Sequence, residues 1–179
     1  MPGTKTIICI GLAAIALVAG IGLASNLART SALTDAQKRE KVFNMYAEYK
    51  KSFPEVQDID AQLAMELANT GKVVFIDVRP PEERSVSHLP GAISADDFLE
   101  DPEKYDDYIK IGYCTISYRS GFFAREMNQN DVPMYNLRAG LLAWVHSGGK
   151  VYDEAGETSR IHVYGEKWNL APEKYEAIW

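Results

Sequence analysis

Residues 113–121 read YCTISYRSG. The cysteine at position 114 ends IKIGYC (109–114), a stretch that is typical of a buried strand. The Ser-Gly pair at 120–121 then opens a helical stretch, GFFAREMNQN (121–130). Open α/β sheets bind ligands at the carboxyl ends of their strands. The order of strand, cysteine, short loop, arginine and helix therefore predicts a functional cysteine at position 114.

This loop also has the chemistry of an anion cradle. Backbone N–H groups of a short loop, together with the positive end of a helix dipole, favour a thiolate over a thiol. The thiolate is the nucleophilic form of cysteine. Arg119 is expected either to pin loop carbonyls or to attract an anionic substrate. The predicted substrate-binding loop comprises Thr115, Ile116, Ser117, Tyr118, Ser120 and Gly121, with Cys114 and Arg119 as catalytic residues.

Strand and helix patterns alternate on both sides of this stretch. AQLAMELA (61–68) is typical of a helix and VVFIDV (73–78) of a buried strand. VPMYNL (132–137) is a further strand candidate, and LLAWVHS (141–147) a short helix. This alternation predicts an α/β fold in which a parallel sheet is flanked by helices.

The flanking segments have their own patterns. Thr34 and Gln37 have the form of a capping box that opens a helix reaching about Lys51. One face of this amphipathic helix carries Val42, Met45, Tyr46 and Tyr49. Residues 150–165 predict a hairpin around an acidic turn that contains glycine. The aromatic tail at 166–179 is either a lid packed on the domain or a surface for a partner or a membrane interface.

Composition excludes several classes of protein. The formal net charge is −6 and no long basic run occurs, so nucleic-acid binding is not expected. The chain has 2 Cys, which form no CxxC pair, and 3 His, so neither a structural zinc site nor another metal site is predicted. No cofactor is expected.

The N-terminus predicts attachment to a membrane. Residues 7–25 form an uncharged apolar run, IICIGLAAIALVAGIGLAS, which includes Cys9. The run is long for a signal peptide and just long enough to span a bilayer, which favours an uncleaved anchor over a cleaved signal. The distribution of positive charges around the run favours a C-terminal domain in the cytoplasm, whereas the usual signal-anchor arrangement would export the C-terminal domain. We expect a membrane-anchored protein with an extracytoplasmic (periplasmic) domain, and the cytoplasmic-facing orientation stays open.

Three motifs in order give the chain a family resemblance. The Cys114 loop has four residues between cysteine and arginine, followed by serine. VFIDVRPPEERSVSHLPGAIS (74–94) and NLRAGLLAWVHSGG (136–149) lie on either side of it. Together they resemble the active loop and the flanking segments of rhodanese domains, over roughly residues 55–150. The predicted organisation is a signal or anchor with tether at 1–30, the amphipathic helix at 31–54, a rhodanese domain at 55–150 and a C-terminal hairpin and aromatic tail at 151–179.

The resemblance implies a sulfurtransferase. Cys114 would take the sulfane sulfur of a donor such as thiosulfate, hold it as a persulfide and pass it to a thiophilic acceptor such as cyanide or a thiol. A protein acceptor is also compatible with this chemistry. Asp77, Arg79 and His88 match family positions that imply supporting roles.

Two alternatives to this enzyme remain. The rhodanese fold could serve as a non-catalytic binding module, or the cysteine could belong to a phosphatase or arsenate reductase. The last two classes place one residue more between cysteine and arginine, so the shorter loop disfavours them. Ser117 stands where many family loops have glycine, which predicts a slightly strained loop. Ile116 and Tyr118 favour a donor that is larger or less charged than thiosulfate.

Overall fold

A five-stranded parallel sheet forms the centre of the molecule, in the strand order β1-β5-β4-β2-β3. Strand β4 lies between β5 and β2, and β2 pairs with it along its whole length, from Val73 opposite Ile109 to Asp77 opposite Tyr113. Both strands therefore end at the same edge of the sheet, where Cys114 follows β4. The strands are β1 (Asp58–Ile59), β2 (Val73–Asp77), β3 (Ile93–Ser94), β4 (Ile109–Tyr113) and β5 (Tyr135–Leu137).

Helices cover the sheet, as the alternating pattern predicted. They are α1 (Asp35–Lys50), α2 (Ala61–Ala68), α3 (Pro81–Val86), α4 (Ala95–Glu100), α5 (Tyr118–Gln129) and α6 (Gly140–His146), with 3-10 turns at Pro102–Tyr105 and Glu166–Trp168. Strand β4 is buried on both faces because helices exclude water from both sides of a parallel sheet. Its Ile111 and Tyr113 are fully buried.

This computed structural model describes residues 33–179. The apolar run at 7–25, its proposed role as signal or anchor, and Cys9 lie outside the described residues. Within the described part, no helix combines the length and the apolar character needed to cross a bilayer. Residues Asp35–Trp179 form one unit.

Helix α1 packs against helices α5 and α6 through the face that its spacing predicted. Val42 and Tyr46 are buried, and Met45 and Tyr49 pack against the same core. The Tyr46 hydroxyl donates to Asp58 Oδ1 at 2.6 Å. Helix α1 is thereby fixed to the first strand of the sheet.

The C-terminal segment differs from its prediction. An antiparallel hairpin exists, but it comprises only β6 (Val151–Asp153) and β7 (Gly156–Thr158). The prediction that the second arm of the hairpin extends to residue 165 is wrong, because β8 (Arg160–His162) pairs in parallel with β9 (Glu176–Ile178). Ile161 on β8 is fully buried. Burial of such a side chain contributes about 1.5–3 kcal/mol, and this outweighs the marginal stability of a longer isolated hairpin.

Candidate active site

Cys114 is a free thiol at the wall of a cavity. Its side chain is buried, with 2% of the residue exposed. The cavity has a volume of about 330 Å³, which is enough for a small molecule to approach the sulfur. Its lining comprises Tyr49, Cys114, Thr115, Ile116, Tyr118, Arg119, Tyr164 and Trp168.

The loop after Cys114 turns through a left-handed residue. Ser117 has φ 64° and ψ 23° and immediately precedes helix α5. This is the conformation that the serine-for-glycine difference predicted to be strained. The Ser117 hydroxyl donates to the carbonyl of Leu137, so strand β5 helps to hold the residue in this conformation.

The carbonyl groups of the loop are bonded from outside. The N–H of Leu141 donates to the Cys114 carbonyl at 2.9 Å, and the N–H of Leu142 donates to the Thr115 carbonyl at 3.1 Å. By contrast, the N–H groups of residues 115–119 have no hydrogen-bond acceptor in the protein within residues 33–179. These amide donors thus remain available to an anion at the sulfur.

A glycine makes this arrangement possible. Gly140 has φ +61°, and a Cβ atom there would lie 2.3 Å from the Cys114 carbonyl oxygen. That distance is far below van der Waals contact, so helix α6 approaches the cysteine loop closely only because position 140 has no side chain. This close approach brings the N–H groups of Leu141 and Leu142 to the loop carbonyls.

Three residues of the predicted substrate-binding loop support it from behind. Ser117, Ser120 and Gly121 are buried and lie outside the set that lines the cavity, as far as the described residues show. The Ser120 hydroxyl donates to Asn136 Oδ1 at 2.7 Å, and the Asn136 amide donates to the Ser117 carbonyl at 3.3 Å. These contacts fix the backbone and leave the cavity wall to Thr115, Ile116 and Tyr118.

Arg119 pairs with a carboxylate that the sequence interpretation missed. Its two terminal nitrogens each donate to Glu83 at 2.7 Å, in a bidentate ion pair. Burial lowers the pKa of Arg119, but the hydrogen bonds with Glu83 and the charge of Cys114 outweigh it, so the pKa of the guanidinium is raised. The expected pinning of loop carbonyls by Arg119 is not seen among the described residues. The buried Glu83 carboxylate explains the difference, because it needs a cationic partner.

Asp77 and Arg79 form a second buried ion pair. Arg79 Nε donates to Asp77 Oδ1 at 2.9 Å and Arg79 Nη2 to Asp77 Oδ2 at 2.7 Å. Tyr113 donates its hydroxyl to the same carboxylate at 2.6 Å, and burial raises the pKa of that hydroxyl. Burial opposes the charge on Arg79, but the hydrogen bonds with Asp77 prevail and raise its pKa. Both residues join the ends of strands β2 and β4, which fits a supporting role.

His88 also lies away from the cavity lining within the described part of the chain. Its ring Nδ1 is 3.0 Å from the Leu89 carbonyl. Its backbone exchanges hydrogen bonds with Tyr152 at 2.8 and 3.0 Å, which connects the domain to strand β6. These contacts fit the supporting role that the family resemblance implies for His88.

Residues from both flanking segments complete the cavity. Tyr49 comes from helix α1, and Tyr164 and Trp168 come from the tail. The Tyr164 ring lies 5.1 Å from the guanidinium carbon of Arg119, at cation–π distance. The aromatic content of the tail was the available signal in the sequence, but nothing local indicated which rings reach the cysteine.

His162 lies beside the Glu83 carboxylate. Its Nδ1 is 3.7 Å from Glu83 Oε2 and accepts a hydrogen bond from the N–H of Tyr164 at 3.2 Å. Burial lowers the pKa of His162, against the opposing effect of Glu83. The ring is therefore mainly neutral at pH 7, with its proton on Nε2.

Comparisons with known proteins agree with this architecture. Residues 60–147 match the family model of the rhodanese-like domain. A thiosulfate sulfurtransferase from Pseudomonas aeruginosa has 17% identity and a TM-score of 0.50, and the alignment covers 67% of this chain and 23% of that one. A rhodanese-like domain protein from Staphylococcus aureus has 24% identity and a TM-score of 0.44, with coverage of 57% and 97%.

A protein from Rhodopseudomonas palustris, described as a possible tyrosine phosphatase, has 24% identity and a TM-score of 0.48, with coverage of 62% and 92%. The likeness to the Pseudomonas aeruginosa structure, at 17% identity, shows a shared fold and nothing more specific. No curated protein matches this chain. The family match supports the fold of a sulfurtransferase, with a mixed α/β architecture around a parallel sheet.

Proposed function

We propose that this chain, which carries a rhodanese-like domain at residues 60–147, is a sulfurtransferase that works through a persulfide on Cys114. One observation carries the proposal. A free cysteine lines a cavity, in a loop whose carbonyls are bonded from outside and whose amide donors have no acceptor in the described part of the protein. Such a loop stabilises a negative charge on the sulfur.

The reaction takes two steps. The Cys114 thiolate attacks the outer sulfur of a donor, the bond between that sulfur and the rest of the donor breaks, and the leaving group departs with the electron pair. Cys114 then carries a persulfide, whose terminal charge the loop N–H groups stabilise. A nucleophilic acceptor, either a small molecule or a protein thiol, attacks the terminal sulfur and restores the thiolate. Neither a metal nor a cofactor takes part in this sequence.

The arginine pairing argues against phosphate chemistry. Hydrolysis of a phosphate ester would require Arg119 to bind two phosphate oxygens in the manner typical of arginine. Here both terminal nitrogens of Arg119 donate to Glu83. The four-residue loop also leaves less room for a tetrahedral oxyanion than the longer loop of cysteine phosphatases.

Intact mass spectrometry tests the proposal directly. The full chain, in detergent, is treated with several sulfane-sulfur donors, and we expect a gain of one sulfur atom. Cys9→Ser is the matched control because the chain has only 2 Cys, so this variant should retain the gain and Cys114→Ser should lose it. Thiocyanate formation from cyanide then measures turnover. A gain that persists in Cys114→Ser would refute the proposal, and a wild type that accepts sulfur from no donor would favour a binding module.

We also propose that residues 7–25 attach the enzyme to a membrane with the catalytic domain outside the cytoplasm. The length and uncharged character of the run support this. Reporter fusions after residue 179, active on only one side of the membrane, test the orientation. Activity of a cytoplasmic reporter alone would refute export.

A further inference from the structure

The mouth of the cavity is aromatic, and half of it comes from the C-terminal tail. Tyr164 and Trp168 pack edge to face, with ring centroids 5.0 Å apart. Tyr49 and Tyr118 form a second pair at 5.1 Å. All four line the same cavity as Cys114. The tail pair lies beyond residues 60–147, so it belongs to this chain's own extension of the domain.

Tyr164 is held in place by several contacts. Its φ of 68° is left-handed, which is costly for a bulky residue and persists only where the surroundings enforce it. The surroundings here are the hydrogen bond to His162, the guanidinium of Arg119 and the ring of Trp168. Tyr164 is 57% exposed, so burial in the core does not explain its position at the mouth of the cavity.

The charge of the cavity is nearly neutral. Arg119 is the only lysine or arginine among the lining residues that the structure describes, and Glu83 neutralises it. The lowered pKa of His162 leaves that ring without charge at pH 7. The cost of removing an anion from water rises with the square of its charge, so an aromatic cavity without free positive charge disfavours a dianion. Thiosulfate is a dianion.

We infer that Tyr164 and Trp168 determine donor specificity, and that they select a monoanionic organic donor with a planar apolar body over thiosulfate. The chemical class is RSO₂S⁻ or RSS⁻ with an aromatic or otherwise apolar R group. This inference rests on the proposed persulfide chemistry of Cys114 and adds the substrate class and the residues that recognise it. The rings of Tyr164 and Trp168 can contact a planar apolar R group over a large area and in favourable edge-to-face geometry.

The loading step balances for both members of the class. The Cys114 thiolate attacks the terminal sulfur of RSO₂S⁻, the S–S bond breaks, and the electron pair leaves on the sulfinate RSO₂⁻. A persulfide bound as RSS⁻ first takes up a proton from water to give RSSH, and the same attack on its terminal sulfur then releases the thiolate RS⁻ and leaves the proton on the new cysteine persulfide. No external oxidant or reductant is needed.

Two donors of equal charge isolate the contribution of the rings. The measured quantity is the second-order rate constant for sulfur loading of Cys114, with benzenethiosulfonate and with methanethiosulfonate. We expect Tyr164→Ala and Trp168→Ala each to lower the ratio of these constants by about threefold to tenfold, the effect of a lost aromatic contact. Tyr164→Phe keeps the ring and should keep the ratio. Trp179→Ala removes a ring that is 60% exposed and outside the cavity lining of the described chain, so it is the matched control.

A second comparison isolates the charge. Glu83→Gln leaves Arg119 without its anionic partner, so thiosulfate should gain relative to methanethiosulfonate by on the order of tenfold. Circular dichroism establishes that each variant is folded. A ratio that is unchanged in both alanine variants, or thiosulfate loading that outpaces benzenethiosulfonate loading in the wild type, would overturn the inference while leaving the proposed function intact. Failure of every donor to load Cys114 would overturn both.

Discussion

Replacing Gly140 with alanine would press a methyl group against the backbone of Cys114. The new Cβ would lie 2.3 Å from the Cys114 carbonyl oxygen and 2.9 Å from the Ser117 hydroxyl oxygen. Neither contact involves the flexible end of a long side chain. The loop and the start of helix α6 must therefore separate, which weakens the bond from the Leu141 N–H to the Cys114 carbonyl.

The magnitude follows from two separate costs. Alanine in the left-handed region costs about 1–2 kcal/mol, offset by about 0.4–1 kcal/mol because alanine restricts the unfolded chain. Forcing an extra methyl group into a packed site adds about 1–3 kcal/mol. We expect the free energy of unfolding of Gly140→Ala to fall by about 1.5–4 kcal/mol. Sulfur loading of Cys114 should slow by roughly tenfold to a hundredfold, because small displacements of reacting groups are costly.

Gly148 provides a matched control. It is also left-handed, with φ +88°, but a Cβ there meets no atom within 4 Å among the residues described. Gly148→Ala should lose only about 0.5–1.5 kcal/mol and retain normal loading. Urea denaturation gives both stabilities, and loading is measured where both variants remain folded. Equal losses of stability in the two variants, or normal loading in Gly140→Ala, would refute this account of the loop.

Three further predictions concern the ion pair of Arg119, the hydroxyl of Tyr113 and the ring of His146. Arg119→Leu leaves the Glu83 carboxylate, at 4% side-chain exposure, without its cationic partner, so the free energy of unfolding at pH 7 should fall by about 2–4 kcal/mol, and an unchanged value in urea denaturation would contradict the role of this ion pair. Tyr113→Phe removes the hydroxyl that donates to Asp77 at 2.6 Å, and thermal denaturation should show a loss of about 1–3 kcal/mol; an unchanged Tm would contradict the role of this bond. Burial lowers the pKa of His146, so the unfolded state binds more protons than the native state below the ordinary histidine pKa, and stability should decrease as pH falls from about 6.5 through the lowered value. His146→Asn should flatten this dependence in denaturation curves between pH 7 and pH 5, and an unaltered slope would contradict it.

Local patterns predicted the central part of this structure well. Strand β4 and the position of Cys114 at its end each follow from a few consecutive residues, whereas helix α5 begins at Tyr118, three residues before the predicted start at Gly121. The left-handed Ser117 agrees with the strain that the family resemblance implied, because many rhodanese loops have glycine at this position. The parallel sheet followed from alternation alone.

Contacts between distant segments were not predictable in this way. Glu83 lies 36 residues before Arg119, within a charged PEER sequence that is typical of an exposed helix. The indication of this pair in the sequence was only indirect. An arginine in a buried loop needs an acidic partner, but the sequence offers several acidic residues and does not distinguish among them. The parallel pairing of β8 with β9 was missed for a related reason. A hairpin can be recognised from adjacent residues, whereas the sequence around β8 does not indicate a parallel partner that lies further along the chain.

Strands β8 and β9 lie on either side of the segment that carries Tyr164 and Trp168. They form a two-stranded parallel sheet of their own, which is a weakly protected part of the molecule. Two strands joined only to each other are marginal without side-chain support, and parallel pairs are slightly the weaker kind. Local opening of such units precedes global unfolding. The amide hydrogen of Val163, which donates to the Ile178 carbonyl of β9, should exchange ahead of those in β4. Each opening would release Tyr164 from its strained backbone and widen access to the Cys114 thiol. The rate of sulfur loading would then depend on the same local opening that governs amide exchange at Val163.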